Sequence, residues 1–209
     1  MNKELVEKAL DENFKNPRCE LEFTRDYELV ISTMLSAQTT DARVNMVTKE
    51  IYKKYDSLEK LSKLTIPEIE KLISSIGLYK NKAKYFKEIV NSLLPYEKVP
   101  NDRDFLENIP GLGRKSANVI LSVLYDEEYI PVDTHVTRVS KRLEIAKDND
   151  DVLTIEKKLY KFFKGSSYKK VGEQLVLFGR YICLSKKPNC HMCSLYKECK
   201  SKDKIKLED

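Results

Sequence analysis

Four cysteines crowd towards the end of this 209-residue chain: Cys183, Cys190, Cys193 and Cys199, separated by six, two and five residues. Thiolates at such short intervals can converge on one metal centre. The spacing alone leaves both a tetrahedral zinc and a cubane iron-sulfur cluster open. A metal knot of this size needs outside support, so the fold must bring other segments to residues 183–199. Cys19 stands outside the set. The first residues, "MNKELVEKALDENFKN", lack the apolar core of an export signal. The expected location is therefore cytoplasmic, where clustered cysteines are ligands rather than disulfide partners.

The rest of the chain reads as helix. Only six glycines and seven prolines interrupt it, and the segments between them carry apolar residues at helical spacing, as in "YELVISTMLSA" at 27–37 and "KYFKEIVNSLL" at 84–94. "DARVNMVTKEIYKKY" opens on Asp41, an N-cap type. "TIPEIEKLISSIG" offers Thr65 as a cap, Pro67 in the first turn and Gly77 at the end. The best strand candidate is "EEYIPVD", and its proline argues against a central strand. The fold class predicted is all-α, roughly ten helices joined by short turns, with no low-complexity linker to mark a boundary. No apolar run reaches the ~20 residues of a membrane span. A net charge of +5, from 38 basic and 33 acidic residues, permits a nucleic-acid partner without requiring one.

The most specialised stretch is "NIPGLGRKSANVI", residues 108–120. Pro110 fixes one dihedral, while Gly111 and Gly113 allow conformations and close approaches that a side chain would block. The tight turn should deliver free N–H groups to the start of the helix "RKSANVILSVLY", a favourable place for phosphate. On this turn alone, Lys115 reads as a phosphate contact. An internal echo accompanies it: "LISSIGLYKNKA" and "LENIPGLGRKSA" both run from a helix end through Gly-Leu to a cation and alanine. Two copies do not make a repeat array.

The run I-P-G-L-G-R-K-S-A-N, followed by V-D-T-H at 132–135, resembles the helix-hairpin-helix motif of DNA glycosylases and in particular the endonuclease III family. The resemblance also takes in "MLSAQTTDARVN" at 34–45, "IGLYKNKAK" at 76–84 and the terminal cysteines. These span nearly the whole chain in the family's order. The resemblance implies two helical lobes flanking a DNA-binding cleft. Residues 21–132 would form a six-helix barrel domain with the hairpin, and residues 1–20 and 133–209 an iron-sulfur cluster domain.

It also implies base excision repair of double-stranded DNA by a monomer: removal of oxidised pyrimidines, then cleavage at the abasic site by β-elimination. Lys115 stands at the nucleophile's position and Asp133 at that of the catalytic aspartate. Gln38 and Leu78 match residues that enter the duplex where a nucleotide has flipped out. Gly111, Gly113 and Arg114 would meet the DNA backbone, and His135 a phosphate. The carbonyls of Ile109 and Leu112 would hold a monovalent cation. The four cysteines, Cys183, Cys190, Cys193 and Cys199, would carry a [4Fe-4S] cluster, with Lys186, Lys187, Lys197 and Lys200 offering cations nearby.

Two other functions compete. A monofunctional mismatch glycosylase acting on uracil or thymine is opposed by the lysine in "GRKSA", where such relatives carry tyrosine. Ser32 falls roughly where adenine-removing relatives carry a catalytic glutamate. A non-enzymatic DNA-binding module leaves the joint presence of Lys115 and Asp133 unexplained. Asp133 also reads as the N-cap of the following helix, a role compatible with catalysis.

Overall fold

A computed structural model describes residues 1–207. They form eleven α-helices and one short 3-10 turn, with no strand among the described residues. The all-α expectation holds, and "EEYIPVD" is irregular backbone leading into a helix. The chain divides into two compact units, one spanning Cys19–Glu127, the other combining Met1–Arg18 with the chain from Glu128 onward. Helix α1 (Lys3–Asn13) belongs to the second unit. The first unit holds α2 (Asp26–Leu35), α3 (Asp41–Lys54), α4 (Leu58–Ser62), α5 (Ile66–Leu72), α6 (Tyr79–Leu93), α7 (Arg103–Asn108) and α8 (Arg114–Tyr125).

Helix α2 is the axis of the first unit. Every residue from Glu28 to Leu35 is buried, as a helix apolar on all sides requires, and α3, α6 and α8 pack around it. Burying side chains such as Leu29, Ile31 and Leu35 contributes ~1.5–3 kcal/mol apiece. Its first turn is locked by Glu28, whose carboxylate accepts the N–H groups of Thr24 (2.6 Å) and Arg25 (3.1 Å) and pairs with the Arg25 guanidinium at 2.5 Å. The helix stops at Leu35, earlier than its apolar run, and residues 36–40 turn towards α3. The cap of α3 is Thr40 rather than Asp41. Thr40 is extended and its Oγ1 accepts the Arg43 N–H, so Asp41 becomes the first helical residue. Thr65 caps α5 as expected, with Glu68 completing a capping box.

The second unit adds α9 (Thr134–Arg142), α10 (Val152–Phe162) and α11 (Tyr168–Tyr181) to α1, followed by the 3-10 turn Cys190–Met192. Val6, Leu10, Val136, Val139, Leu159, Phe163, Leu175 and Phe178 share its core. Polar groups fix α1 against α11: Gln174 Nε2 donates to Asp11 Oδ1 (2.7 Å) and the Phe14 carbonyl (2.9 Å), while the Lys170 ammonium lies 2.7 Å from Asp11. Helices α9 and α11 are close enough that a side chain on Gly179 would bring its Cβ to 2.8 Å from that of His135. No helix among the described residues is long and apolar enough to cross a membrane.

Candidate active site and cysteine cavity

The hairpin between α7 and α8 uses its glycines unequally. Gly111 has φ +91°, and a Cβ there would sit 2.6 Å from Cβ and Cγ of Tyr85 on α6. Both conformation and space therefore demand glycine. Gly113 has ordinary extended backbone and nothing within 4 Å of a Cβ position, so the fold itself does not require a glycine there. It is exposed and caps α8 without a side chain. Leu112 is buried, and its N–H closes the turn onto the Ile109 carbonyl at 3.0 Å. Arg114 and Lys115 follow as the first two residues of α8, both half-buried. Asn118 and Ser122, one and two turns along the same face as Lys115, are buried polar residues that sequence reading missed.

Gln38 and Leu78 share a property that pattern did not reveal. Each has left-handed backbone, φ 55° and 60°, and each side chain is exposed, Leu78 by 61%. For a leucine this conformation costs roughly 1–3 kcal/mol and persists only where surroundings impose it. One residue ties the two places together. Lys82, in the first turns of α6, is 4% exposed, and its ammonium donates to the Leu35 carbonyl (2.8 Å), the Ala37 carbonyl (2.6 Å) and Thr39 Oγ1 (3.0 Å). Burial pulls its pKa below the ordinary lysine range. The available signal was register, since Lys82 shares a buried face with Phe86, Ile89 and Leu93. Ser32 is fully buried, with its hydroxyl 3.1 Å from that of Tyr52, which donates to the Glu28 carbonyl.

In the second unit Asp133 is the N-cap of α9, with Oδ1 accepting the Val136 N–H at 2.8 Å. His135 packs its Cβ against Gly179, and its Nδ1 lies 3.3 Å from the Arg138 guanidinium.

All four clustered cysteines line one cavity, walled by Leu143, Phe178, Ile182 and Leu195. Arg142, also overlooked in the sequence, organises it. Its guanidinium donates to Cys183 Sγ (3.3 Å) and the carbonyls of Leu184 (2.5 Å) and Ser185 (3.2 Å), and pairs with Asp203 at 2.9 Å. Arg138 adds a bond to the Cys183 carbonyl at 3.1 Å, and the Ile205 N–H reaches Cys190 Sγ at 3.4 Å. Burial raises the Cys183 thiol against the opposing pull of Arg142, and pushes Cys193 up to about 11. No three potential ligands among the described residues are gathered tightly enough to hold a single ion. Lys186, Lys187, Lys197 and Lys200 are exposed on or beside the loop.

Residues 31–164 match the family described as HhH-GPD superfamily base excision DNA repair protein. The chain is 40% identical to endonuclease III of Bacillus subtilis (strain 168), covering 98% of this chain and 95% of that protein. It is 36% identical to endonuclease III of Escherichia coli (strain K12), covering 95% and 94%. Among solved structures, a trapped endonuclease III-DNA covalent intermediate superposes with a TM-score of 0.89 at 40% identity, covering 96% of both chains. A thermostable thymine-DNA glycosylase shares the fold at 22% identity and a TM-score of 0.76.

Proposed function

Since the chain belongs to the HhH-GPD superfamily of base excision DNA repair proteins and, within it, to the endonuclease III family, we propose that Lys115 is the nucleophile of a bifunctional DNA glycosylase and abasic-site lyase. The substrate in this reading is double-stranded DNA carrying an oxidised pyrimidine or an abasic site, and the location we propose is the cytoplasm. The observation that carries the reading is the hairpin. A turn that needs glycine at 111, and stands open at 113, presents a half-buried lysine in the first turn of α8.

Nζ of Lys115 attacks C1′ of the flipped nucleotide, the C1′–base bond breaks, and the base leaves with the bonding pair and takes up a proton. Loss of a proton from nitrogen and opening of the sugar give the Schiff base. Removal of a C2′ proton then breaks the C3′–oxygen bond and releases the 3′ phosphate. The Asp133 carboxylate, oriented by the Val136 N–H, stabilises the cationic sugar and assists proton transfer. Gln38 and Leu78 fill the gap left in the duplex, and Gly111, Gly113, Arg114 and His135 bind its backbone. The carbonyls of Ile109 and Leu112 hold a monovalent cation at the turn.

Borohydride reduction on abasic DNA tests this. Wild type should be trapped as a covalent adduct that Lys115→Gln abolishes. A wild type that gives no adduct overturns the lyase assignment.

Cys183, Cys190, Cys193 and Cys199 hold a [4Fe-4S] cluster in this reading. Four thiols around one apolar-walled cavity, with N–H and guanidinium donors at two sulfurs, suit such a group. The cluster's contribution is structural, closing the loop. The protein purified without oxygen should be brown and contain iron; a colourless protein with one zinc per chain overturns the assignment.

A further inference from the structure

We propose that Lys82 is the positioning residue for the two groups that enter the duplex. Its buried ammonium ties the Ala37 carbonyl and the Thr39 hydroxyl, one on each side of Gln38, to the start of α6, the helix that Leu78 caps. This rests on the duplex-entry reading of Gln38 and Leu78 given above.

The geometry is specific. All three ammonium protons have an acceptor, one at the last residue of α2 and two in the turn after it: the Leu35 carbonyl, the Ala37 carbonyl and Thr39 Oγ1. Gln38 lies between the last two. Leu78 caps the helical turn that carries this lysine, its carbonyl accepting the Lys82 N–H at 3.1 Å as the first regular bond of α6, so the lysine side chain holds that turn against the one bearing Gln38. The two left-handed residues therefore share one anchor.

Burying an ammonium is expensive, and the end of a helix can be satisfied far more cheaply by glycine or a small polar side chain. The expense gives the core nothing at Gln38, whose side chain is exposed. Leu78 is 61% exposed, so its strain is not offset by burial in the core. Fixing two outward-facing side chains pays only when something outside must meet them at a defined separation. A duplex with one nucleotide removed from its stack is such a partner.

The test compares two substrates with Lys82→Met. Removal of an oxidised pyrimidine from duplex DNA should fall about 10- to 100-fold, as expected when reacting groups are misplaced. Borohydride trapping on a single-stranded abasic oligonucleotide, which has no stack to enter, should stay within about twofold. In a Gln38→Ala, Leu78→Ala background, Lys82→Met should add little, because the lysine acts through the two residues already removed. An equal loss on both substrates makes Lys82 a purely structural residue and overturns the inference, as does no loss on the duplex. Should Lys82→Met fail to fold, Thr39→Val removes one acceptor and must show the same selective loss, smaller in size; its absence also overturns the inference. Gln38→Ala and Leu78→Ala separate the two levels. If both process the duplex normally, the duplex-entry reading itself fails. If both are impaired while Lys82→Met is not, only the anchor is wrong.

Discussion

The two Gly-Leu turns, at 77/78 and 111/112, are spelled alike and built differently. In the hairpin the glycine takes the left-handed conformation, φ +91°, and the leucine is buried. At 77/78 the leucine takes it, φ 60°, and is 61% exposed, while Gly77 has open space around it. The hairpin thus uses its glycine for internal fit, with Tyr85 against Gly111. The other turn keeps a strained, apolar side chain in solvent although a glycine stands next to it. Strain that the fold could have avoided marks a position held for something outside the fold.

The difference should appear most strongly when alanine replaces each glycine. Gly111→Ala meets both an unfavourable φ and a Tyr85 side chain that cannot retreat at its Cβ. It should cost about 2–4 kcal/mol in chemical denaturation and abolish trapping by displacing Lys115. Gly77→Ala, with nothing within 4 Å, should change stability by less than ~0.5 kcal/mol. Equal losses from the two substitutions would mean that the turns are the same device after all.

Leucine at 78 gives a smaller effect with a sign that is harder to obtain by accident. Leu78→Gly relieves ~1–2 kcal/mol of left-handed strain and loses part of that to the greater freedom of glycine in the unfolded chain. The thermal midpoint should hold or rise slightly while processing of a duplex lesion falls. A drop in the midpoint would show that Leu78 is packed rather than displayed.

What could be read from the sequence was local along the chain. The cysteine spacing, the Gly-Leu-Gly turn before Lys115, and the caps at Thr65 and Asp133 each lie within a few residues of what they act on. Lys82, Arg142 and Tyr85 escaped because their partners are distant. Lys82 bonds a carbonyl 47 positions away, Arg142 pairs with Asp203 at a separation of 61, and Tyr85 meets the hairpin from another helix. The echo left the difference between the two turns hidden for a related reason. Which residue of Gly-Leu takes the positive φ depends on what the turn packs against, and composition is silent on that. Even the shift from Asp41 to Thr40 at the start of α3 is a competition between adjacent cap types, settled where Thr40 takes the extended backbone and accepts the Arg43 N–H.

The smallest expected effect concerns how the first turn is framed. It lacks the glycine solution of the hairpin, so its geometry depends on α5 before it and α6 after it, joined through buried Ile73 and Ile76. Helix α5 has only seven residues, and its start rests on the reciprocal cap: Glu68 accepts the Thr65 N–H at 2.8 Å and the Thr65 hydroxyl at 2.7 Å. Those bonds, the backbone one first, hold the Glu68 carboxyl below the ordinary glutamate range. A carboxylate depressed on folding contributes stability that is complete above its unfolded pKa, about 4.3, and lost as pH falls through the lower folded value. The thermal midpoint of Glu68→Ala should therefore lie below wild type at pH 7, and the gap should narrow steadily as the pH is lowered through that range. A gap unchanged by acid would mean that Glu68 supports the cap without its charge, and the framing of Leu78 would then owe nothing to charge.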